Sequence, residues 1–573
     1  MPRRRLLQIA LLVSGFALAG APAAFAAAPP GAKNPFCKRL GHSIGASAGA
    51  RMYCFGPNAA PAPHPSRLTP NRFASPFSAN VDAATPSEDV SPAGVQAYGQ
   101  SETSVASAGS YVVEAWNDAT TFFTACPAPM SKEEGTGYGF SSNGGASFTD
   151  EGGVPNANCA SHLLAGDPSV EAWQPGGHPY FYIASLYPSV SSDPTNDIAI
   201  SACQVAGTGS AARIHCGQPI VVGSSTQCSS SLGSFACSFL DKEYLTIDPA
   251  HGRLYVTYTE FGPTPDTSSF NGQVELAVCD IGTPSGGKGP AGGTAGSPKC
   301  EHGTTASQAT PITLPYMTLA PGDPNCENEG SYPGVDTNTG DVYAAYEFNQ
   351  TTNFSNPACF NTPTRNVLVR VQAPCLVLQT STICGALGGT TSEPVISLDA
   401  AFIPGYNRFP ANDFPRIAVD PKARTVSMVW NDARRHPLGD ILLRSYALGA
   451  LTPIQSAPVV LNSDSGGLHF LPAVRNASAS GNLAVTWYDR SSANTALTNV
   501  RGAVGISPRL TSTPRSNTTV TSVPSDWNNV SSDIVPNFGD YTDNYIANGR
   551  LYVAWSDGRL GLPQPFVAST PLP

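Results

Sequence analysis

Short apolar runs bounded by turn residues repeat along this chain, and one phrase recurs. An apolar strand, often ending in Asp, leads through a polar turn to a second strand that ends in Trp or Tyr. The clearest copies span 244–258 and 415–430; others span 332–346, 471–487 and 541–555, with weaker ones at 104–116 and from 168 to about 183. The turns carry Asp-Pro, Thr-Gly or Asn-Gly, and the strands are β-branched and aromatic, as hairpins require. Helical i, i+3, i+4 spacing is nowhere sustained beyond three turns. The second-strand ends fall near 116, 183, 258, 346, 430, 487 and 555. Each interval leaves room for a four-stranded unit of roughly 40–50 residues plus long loops. The pattern predicts an all-β β-propeller of seven blades, with six as the alternative because the second copy is poor.

Composition agrees with a turn-rich β fold. Gly (55) and Pro (53) are abundant, 13% of residues are charged, and the 41% hydrophobic share suffices for a core. The formal net charge of −10 comes with no basic stripe interleaved with aromatics, which argues against a nucleic-acid partner.

Residues 1–26 read as a signal peptide: Arg3, Arg4 and Arg5, then the apolar stretch 6–19, then Ala24-Phe25-Ala26 as a small-x-small cleavage site. Arg3-Arg4-Arg5-Leu6-Leu7 loosely fits a twin-arginine pattern. No later stretch is long and apolar enough for a transmembrane anchor, so a secreted or cell-surface protein is expected. The 14 cysteines all follow residue 26 and show no C-x-x-C spacing, so disulfides are expected rather than zinc. Near neighbours suggest local pairing: Cys37–Cys54, Cys126–Cys159, Cys203–Cys216, Cys228–Cys237, Cys279–Cys300, Cys326–Cys359 and Cys375–Cys384. Residues 27–95 form an N-terminal extension before a propeller over 96–573. The chain ends soon after the seventh copy, so a segment between about 65 and 100 is expected to supply the last blade's missing outer strand.

One stretch is specific. Ser141-Ser-Asn-Gly-Gly-Ala-Ser-Phe148 matches the Asp-box pattern S-x-(D/N)-x-G-x-(S/T)-(W/F). With it go Asp241-Lys242-Glu243-Tyr244, the run at 487–490, Gly539-Asp540-Tyr541 and the run at 555–559. On these phrases the chain, over roughly 100–565, resembles the sialidase-like (BNR or Asp-box) propellers of secreted bacterial proteins. The resemblance implies that the box is a hairpin turn between outer strands, with its aromatic in the blade core. It also implies a glycoside hydrolase acting on an extracellular glycan, which could be anionic.

Residues entering the innermost strands of a propeller face the central funnel. Glu102, Asp167, Asp241, Glu243, Glu329, Asp413 and Asp540 fall there, with His469 in the sixth copy. Such acids could pair as general acid and base on a glycoside, or bind Ca²⁺; equally they could cap strand ends. Glu243, Asp241, Glu329 and Asp540 are the catalytic candidates. Arg416 and Arg475, with Arg408 less clearly, could fork onto a sugar carboxylate beside Asp413, or brace blades through Arg–Asp pairs. By the resemblance, Tyr541 could be a nucleophile activated by Glu243 or Glu329; the recurrence of Tyr244 and Tyr332 at similar places fits packing instead. Arg434, Arg490 and Arg559 repeat after second strands, which suggests a structural role.

Departures matter too. The Phe/Tyr-Arg-Ile-Pro motif of sialidases is missing, and Phe414-Pro-Arg-Ile417 scrambles its order. Gly41-His-Ser-Ile-Gly45 matches a nucleophile-elbow pattern but lacks its strand-and-helix context. The alternative function is therefore a non-catalytic propeller that binds carbohydrate or protein at the cell surface, with a monomer expected in either case; a lyase or other hydrolase on the same scaffold is a third. Converging carboxylates in the funnel would favour an enzyme, and a filled funnel a binding module.

Overall fold

The computed structural model describes residues 37, 47–55, 75–87, 99–119, 135–189, 196–225, 228–229, 236–261, 272–282, 292–300, 312–314, 328–349, 363–373, 389–406, 412–477, 480–490, 497–532 and 537–572. The signal peptide, Arg408, the elbow-like motif and the Cys326–Cys359 and Cys375–Cys384 pairs lie outside them. Seven antiparallel sheets, four of four strands and three of five, form a β-propeller. The innermost strands, blade by blade, are Gln100–Ala108, Ser169–Trp173, Phe239–Asp248, Asn328–Asp336, Arg416–Asp420, Leu468–Asn476 and Asp543–Ala547. Each pairs with a second strand: Tyr111–Asp118, Tyr180–Pro188, Arg253–Phe261, Asp341–Phe348, Thr425–Asp432, Leu483–Arg490 and Arg550–Asp557. Innermost strands of successive blades touch one another in a cycle, and the seventh touches the first. The six-blade alternative is thereby excluded, and the weak second copy is a blade like the rest.

The recurring Asp at the end of the first strand has a local cause. Asp248 Oδ1 accepts from the Ala250 and His251 N–H groups at 3.0 and 3.1 Å, and Asp420 Oδ1 from Lys422 and Ala423 at 2.8 and 2.9 Å. The carboxylate thus substitutes for a backbone acceptor and closes the turn. The aromatic on the second strand fills the blade core: Trp116, Tyr258, Tyr346, Trp430, Trp487 and Trp555 are all fully buried. Apolar clusters lie between neighbouring blades all round the ring, as in the group joining Ala418, Val429 and Leu443 of blade 5 to Val474, Val485 and Trp487 of blade 6.

Ring closure uses both ends of the described chain. Val81–Asp82 is the outer strand of blade 7, with Val81 opposite Val567 and Asp82 opposite Phe566. Asn80 reinforces the seam: its Oδ1 accepts from the Ser522 N–H at 2.6 Å and from Arg559 at 2.9 Å, and its Nδ2 donates to the Val520 carbonyl at 3.1 Å.

Cys37–Cys54, Cys203–Cys216 and Cys279–Cys300 are closed disulfides. The last two join residues directly opposite in paired strands. Cys228 and Cys237 also lie opposite each other, and Cys159 and Cys237 are both disulfide-bonded. Such bonds fit an oxidising compartment. No helix among the described residues is long and apolar enough to cross a membrane.

The 141–148 stretch is a turn between the third and fourth strands of blade 1, Thr136–Ser141 and Thr149–Gly153. Ser141 Oγ accepts from the Gly145 N–H at 2.9 Å, and Asn143 Oδ1 from the Ser147 N–H at 3.0 Å. Phe148 packs against Ala83, Ala84 and Trp116.

Candidate functional site

The innermost strands begin with a shared irregularity. Pairing with the second strand slips between Ser101 and Ser104, Asp241 and Tyr244, Glu329 and Tyr332, and Phe470 and Ala473. At the slip the backbone turns left-handed at Glu102 (φ 54°), Lys242 (φ 60°), Gly330 (φ 66°) and Leu471 (φ 50°), and Asp167 of blade 2 does the same (φ 58°). A bulge of this kind re-aims a side chain, here towards the ring's mouth, and such strain recurs at functional sites.

Blades 1, 2, 3 and 7 bring five carboxyl groups and one ammonium together there, all buried. Glu102 Oε1 accepts from the Asp540 N–H at 2.9 Å, and Glu102 Oε2 from Asn117 Nδ2 at 2.9 Å; the same Asn117 amide is 3.4 Å from Asp167 Oδ1. Lys242 Nζ is ion-paired with Asp540. Gly539 makes room for Glu102: its φ is +79°, and a Cβ there would lie 2.1 Å from Glu102 Cγ. Asp241 accepts from its neighbour Lys242 N–H at 2.9 Å and from the Ser47 N–H at 2.7 Å. That second bond brings the helix Ala48–Phe55, clipped by Cys37–Cys54, over the mouth. Glu243 is buried without a hydrogen-bond donor from another residue among those described.

Burial is the main cause of the electrostatics. It pushes the Asp241 carboxyl up to about 7, with Asp167 adding to it and Lys242 and Ser47 opposing. Burial and then Asp167 hold Glu243 well above the usual carboxylate range, and burial with Asp167 and Asp540 does so for Glu102. Mutual repulsion with a single lysine for compensation favours protonated acids.

Glu329 and Asp413 form a second group in blades 4 and 5. Glu329 lies directly opposite Glu347, whose Oε2 accepts from the Asp413 N–H at 3.3 Å. The Asp413 carboxylate accepts from the Leu398 N–H at 3.3 Å and from Asn431 Nδ2. Among the described residues, the carboxylates of the mouth do not converge tightly enough to cage a metal ion.

Deeper along the axis the ring is filled. Arg416 Nη2 donates to Tyr244 Oη at 3.0 Å, and its guanidinium lies 4.3, 4.9 and 5.5 Å from the ring centroids of Tyr244, Tyr332 and Tyr541. Tyr244 lies tilted by 46° with its ring centroid 4.8 Å from that of Tyr332, and edge-on 5.2 Å from Tyr541, whose hydroxyl donates to the Pro168 carbonyl at 2.8 Å. All four side chains are buried. Further on, Arg475 pairs with Glu171 across the ring at 2.9 Å and donates to the Asn544 carbonyl at 3.1 Å.

Lys242, Asn117 and Glu171 are partners that reading along the chain overlooked. Aligning the bulges would have found Lys242, since it takes the place of Glu102 and Asp167. One register expectation needs correcting. Arg434 and Arg559 clasp Asp432 and Asp557 through two bonds each, at 2.8 and 2.7 Å and at 2.9 and 2.6 Å. Arg490 follows its Asp by one residue instead of two, so it points elsewhere, and Asp489 meets His469 and Arg501 instead.

The acid-lined face is also where apolar side chains are exposed. Innermost strands start at this face, so loops after second strands and loops between blades emerge there as well. Leu560 follows the second strand of blade 7, Ile396 and Phe402 join blades 4 and 5, and Phe55 ends the helix over the mouth. They are 42, 55, 41 and 37% exposed and are the exposed large hydrophobic residues of the described chain.

No protein-family model matches this chain, and no curated protein matches it by sequence. Among solved structures it is similar to a Penicillium chrysogenum α-L-arabinanase complexed with arabinobiose, at 9% identity over 86% of this chain and 98% of that one, with a TM-score of 0.38. It is similar to Trypanosoma rangeli sialidase at 9% identity over 87% of this chain and 60% of that one, TM-score 0.34. A Dyadobacter fermentans protein of unknown function matches at 10% identity over 86% and 97%, TM-score 0.35. Likeness this distant leaves function to the chain's own residues.

Proposed function

We propose that this protein is an exported, monomeric propeller that binds an extracellular glycan on its acid-lined face without turning it over. The observation that supports this is the filled axis: Arg416, Tyr244, Tyr332 and Tyr541 occupy the space a substrate would need, with Arg416 Nη2 donating to the Tyr244 hydroxyl and the Tyr541 hydroxyl donating to the Pro168 carbonyl. Exposed Phe55 and Phe402 could stack on sugar faces, and the surrounding loops offer polar groups to hydroxyls. The test is a glycan-binding panel of sialylated, uronic-acid and neutral sugars, with and without Ca²⁺, alongside mass spectrometry of released products. Binding that weakens in Phe402→Ser with no sugar released supports the reading; release of any sugar overturns it.

One observation favours glycoside hydrolysis as the second reading. Glu243 is a buried acid with its proton favoured and no donor from a neighbour, the state a general acid needs. In that reading Asp241 is its partner carboxylate, with Glu329, Asp540 and Tyr541 as further catalytic candidates and Arg416, Arg475 and Asp413 as substrate-binding ones. The segment at 47–55 would have to lift off first. Sugar release abolished by Glu243→Gln would establish it.

A further inference from the structure

At the acid-lined face, between blades 5 and 6, a histidine sits between two aspartates. His469 Nδ1 is 3.0 Å from the Gly439 carbonyl oxygen, which can only accept, so this nitrogen carries a proton. Nε2 therefore points the other way, and what it faces are acceptors. It lies 3.1 Å from each oxygen of Asp464 and 3.2 Å from Asp489 Oδ2. His469 and Asp489 are fully buried, and the Asp464 side chain is 25% exposed. Two carboxylates facing one ring nitrogen call for positive charge between them, supplied either by a proton on Nε2 or by a metal ion.

We propose that Asp464, His469 and Asp489 form a binding site for a divalent transition metal such as Zn²⁺. Metal ligands bonded at about 2.0 Å around a tetrahedral ion stand about 3.3 Å apart, close to the separations found here. A backbone carbonyl on the far ring nitrogen is the usual outer support of a metal-bound histidine, since it fixes the tautomer and ring plane. One imidazole with two carboxylates suits a first-row dication better than Ca²⁺ or Mg²⁺, which favour oxygen alone. Asp489 Oδ2, the oxygen that faces Nε2, also accepts from Trp487 Nε1 at 3.4 Å, which fixes the carboxylate's orientation, and Arg501 Nε stands 3.5 Å from Oδ1. In the absence of metal a proton on Nε2 supplies the charge, and metal uptake releases it.

The test uses the full, oxidised protein dialysed against chelator and titrated with Co²⁺, following its visible d–d absorption, then with Zn²⁺ in competition. The expected result is one equivalent of Co²⁺ taken up and displaced by Zn²⁺, with affinity reduced about tenfold or more in both Asp464→Asn and His469→Gln. Asp464 lies at the surface, so its variant tests the site even if His469→Gln fails to fold. No uptake by the wild-type protein at millimolar metal would mean a proton alone occupies the site, and would overturn the proposal. Uptake unchanged in Asp464→Asn would overturn it as well.

Discussion

Arg416 lies across the axis on Tyr244, donating to its hydroxyl at 3.0 Å with the guanidinium 4.3 Å from the ring centroid. The contact joins blades 5 and 3, which are not neighbours, and with Tyr332 and Tyr541 it fills the middle of the ring. Arg416→Ala would leave a cavity lined by three phenols and is expected to cost about 3 kcal/mol. Arg416→Met fills much of the volume without a buried charge and should cost clearly less. Urea unfolding of the two variants makes the comparison; equal losses would mean the charge, and not the volume, matters at this position.

The mouth makes stability depend on pH. Asp241 titrates near 7 in the folded chain and near 3.9 unfolded, so the folded state holds more protons between those values. Stability is therefore greatest below about pH 4 with respect to this group and declines as pH rises to about 7. Glu102 and Glu243, also held high by burial, act in the same direction. Thermal midpoints should fall between pH 5 and pH 8, and less steeply in Asp241→Asn.

The closing seam offers a local target. Asn80→Ala strips an acceptor from the Ser522 N–H and from Arg559, and a donor from the Val520 carbonyl. Two or three lost bonds at a part-buried junction predict about 2–3 kcal/mol. Limited proteolysis should cut first near the seam in this variant.

Clipping of the segment over the mouth should be visible in exchange. Replacing Cys37 and Cys54 by Ser removes a 17-residue closure, worth about 3 kcal/mol. Amide exchange over 47–55 should quicken, that of Ser47 included, while the Trp-bearing second strands stay protected. Unchanged exchange would show that the Asp241 bond and packing suffice.

The blade count was legible because each blade's first hairpin is written locally: apolar strand, Asp that closes the turn, strand ending in an aromatic. Asp248 and Asp420 do the same job 172 residues apart, and each does it with its own neighbours. The mouth was legible only in part. Residues entering the innermost strands could be picked out, but not which would meet, because Lys242 and Asp540 are 298 residues apart and become neighbours through ring closure. That Arg416 would be spent on Tyr244 and Tyr332 was likewise hidden, since three separate strand registers decide it. A shift of a single residue was enough to separate Arg490 from the behaviour of Arg434 and Arg559.

Val81–Asp82 pairs with the strand Gln564–Pro571, so a piece made early in synthesis waits for one made much later. During that interval the growing chain carries two raw β-edges, one on each end of an unfinished circle. A ribosome stall, a frameshift or clipping near residue 560 would leave those edges open for good, ready to pair with other chains. The circle therefore doubles as a check on synthesis: only a chain made past its last ring strand can hide the borders of the ring.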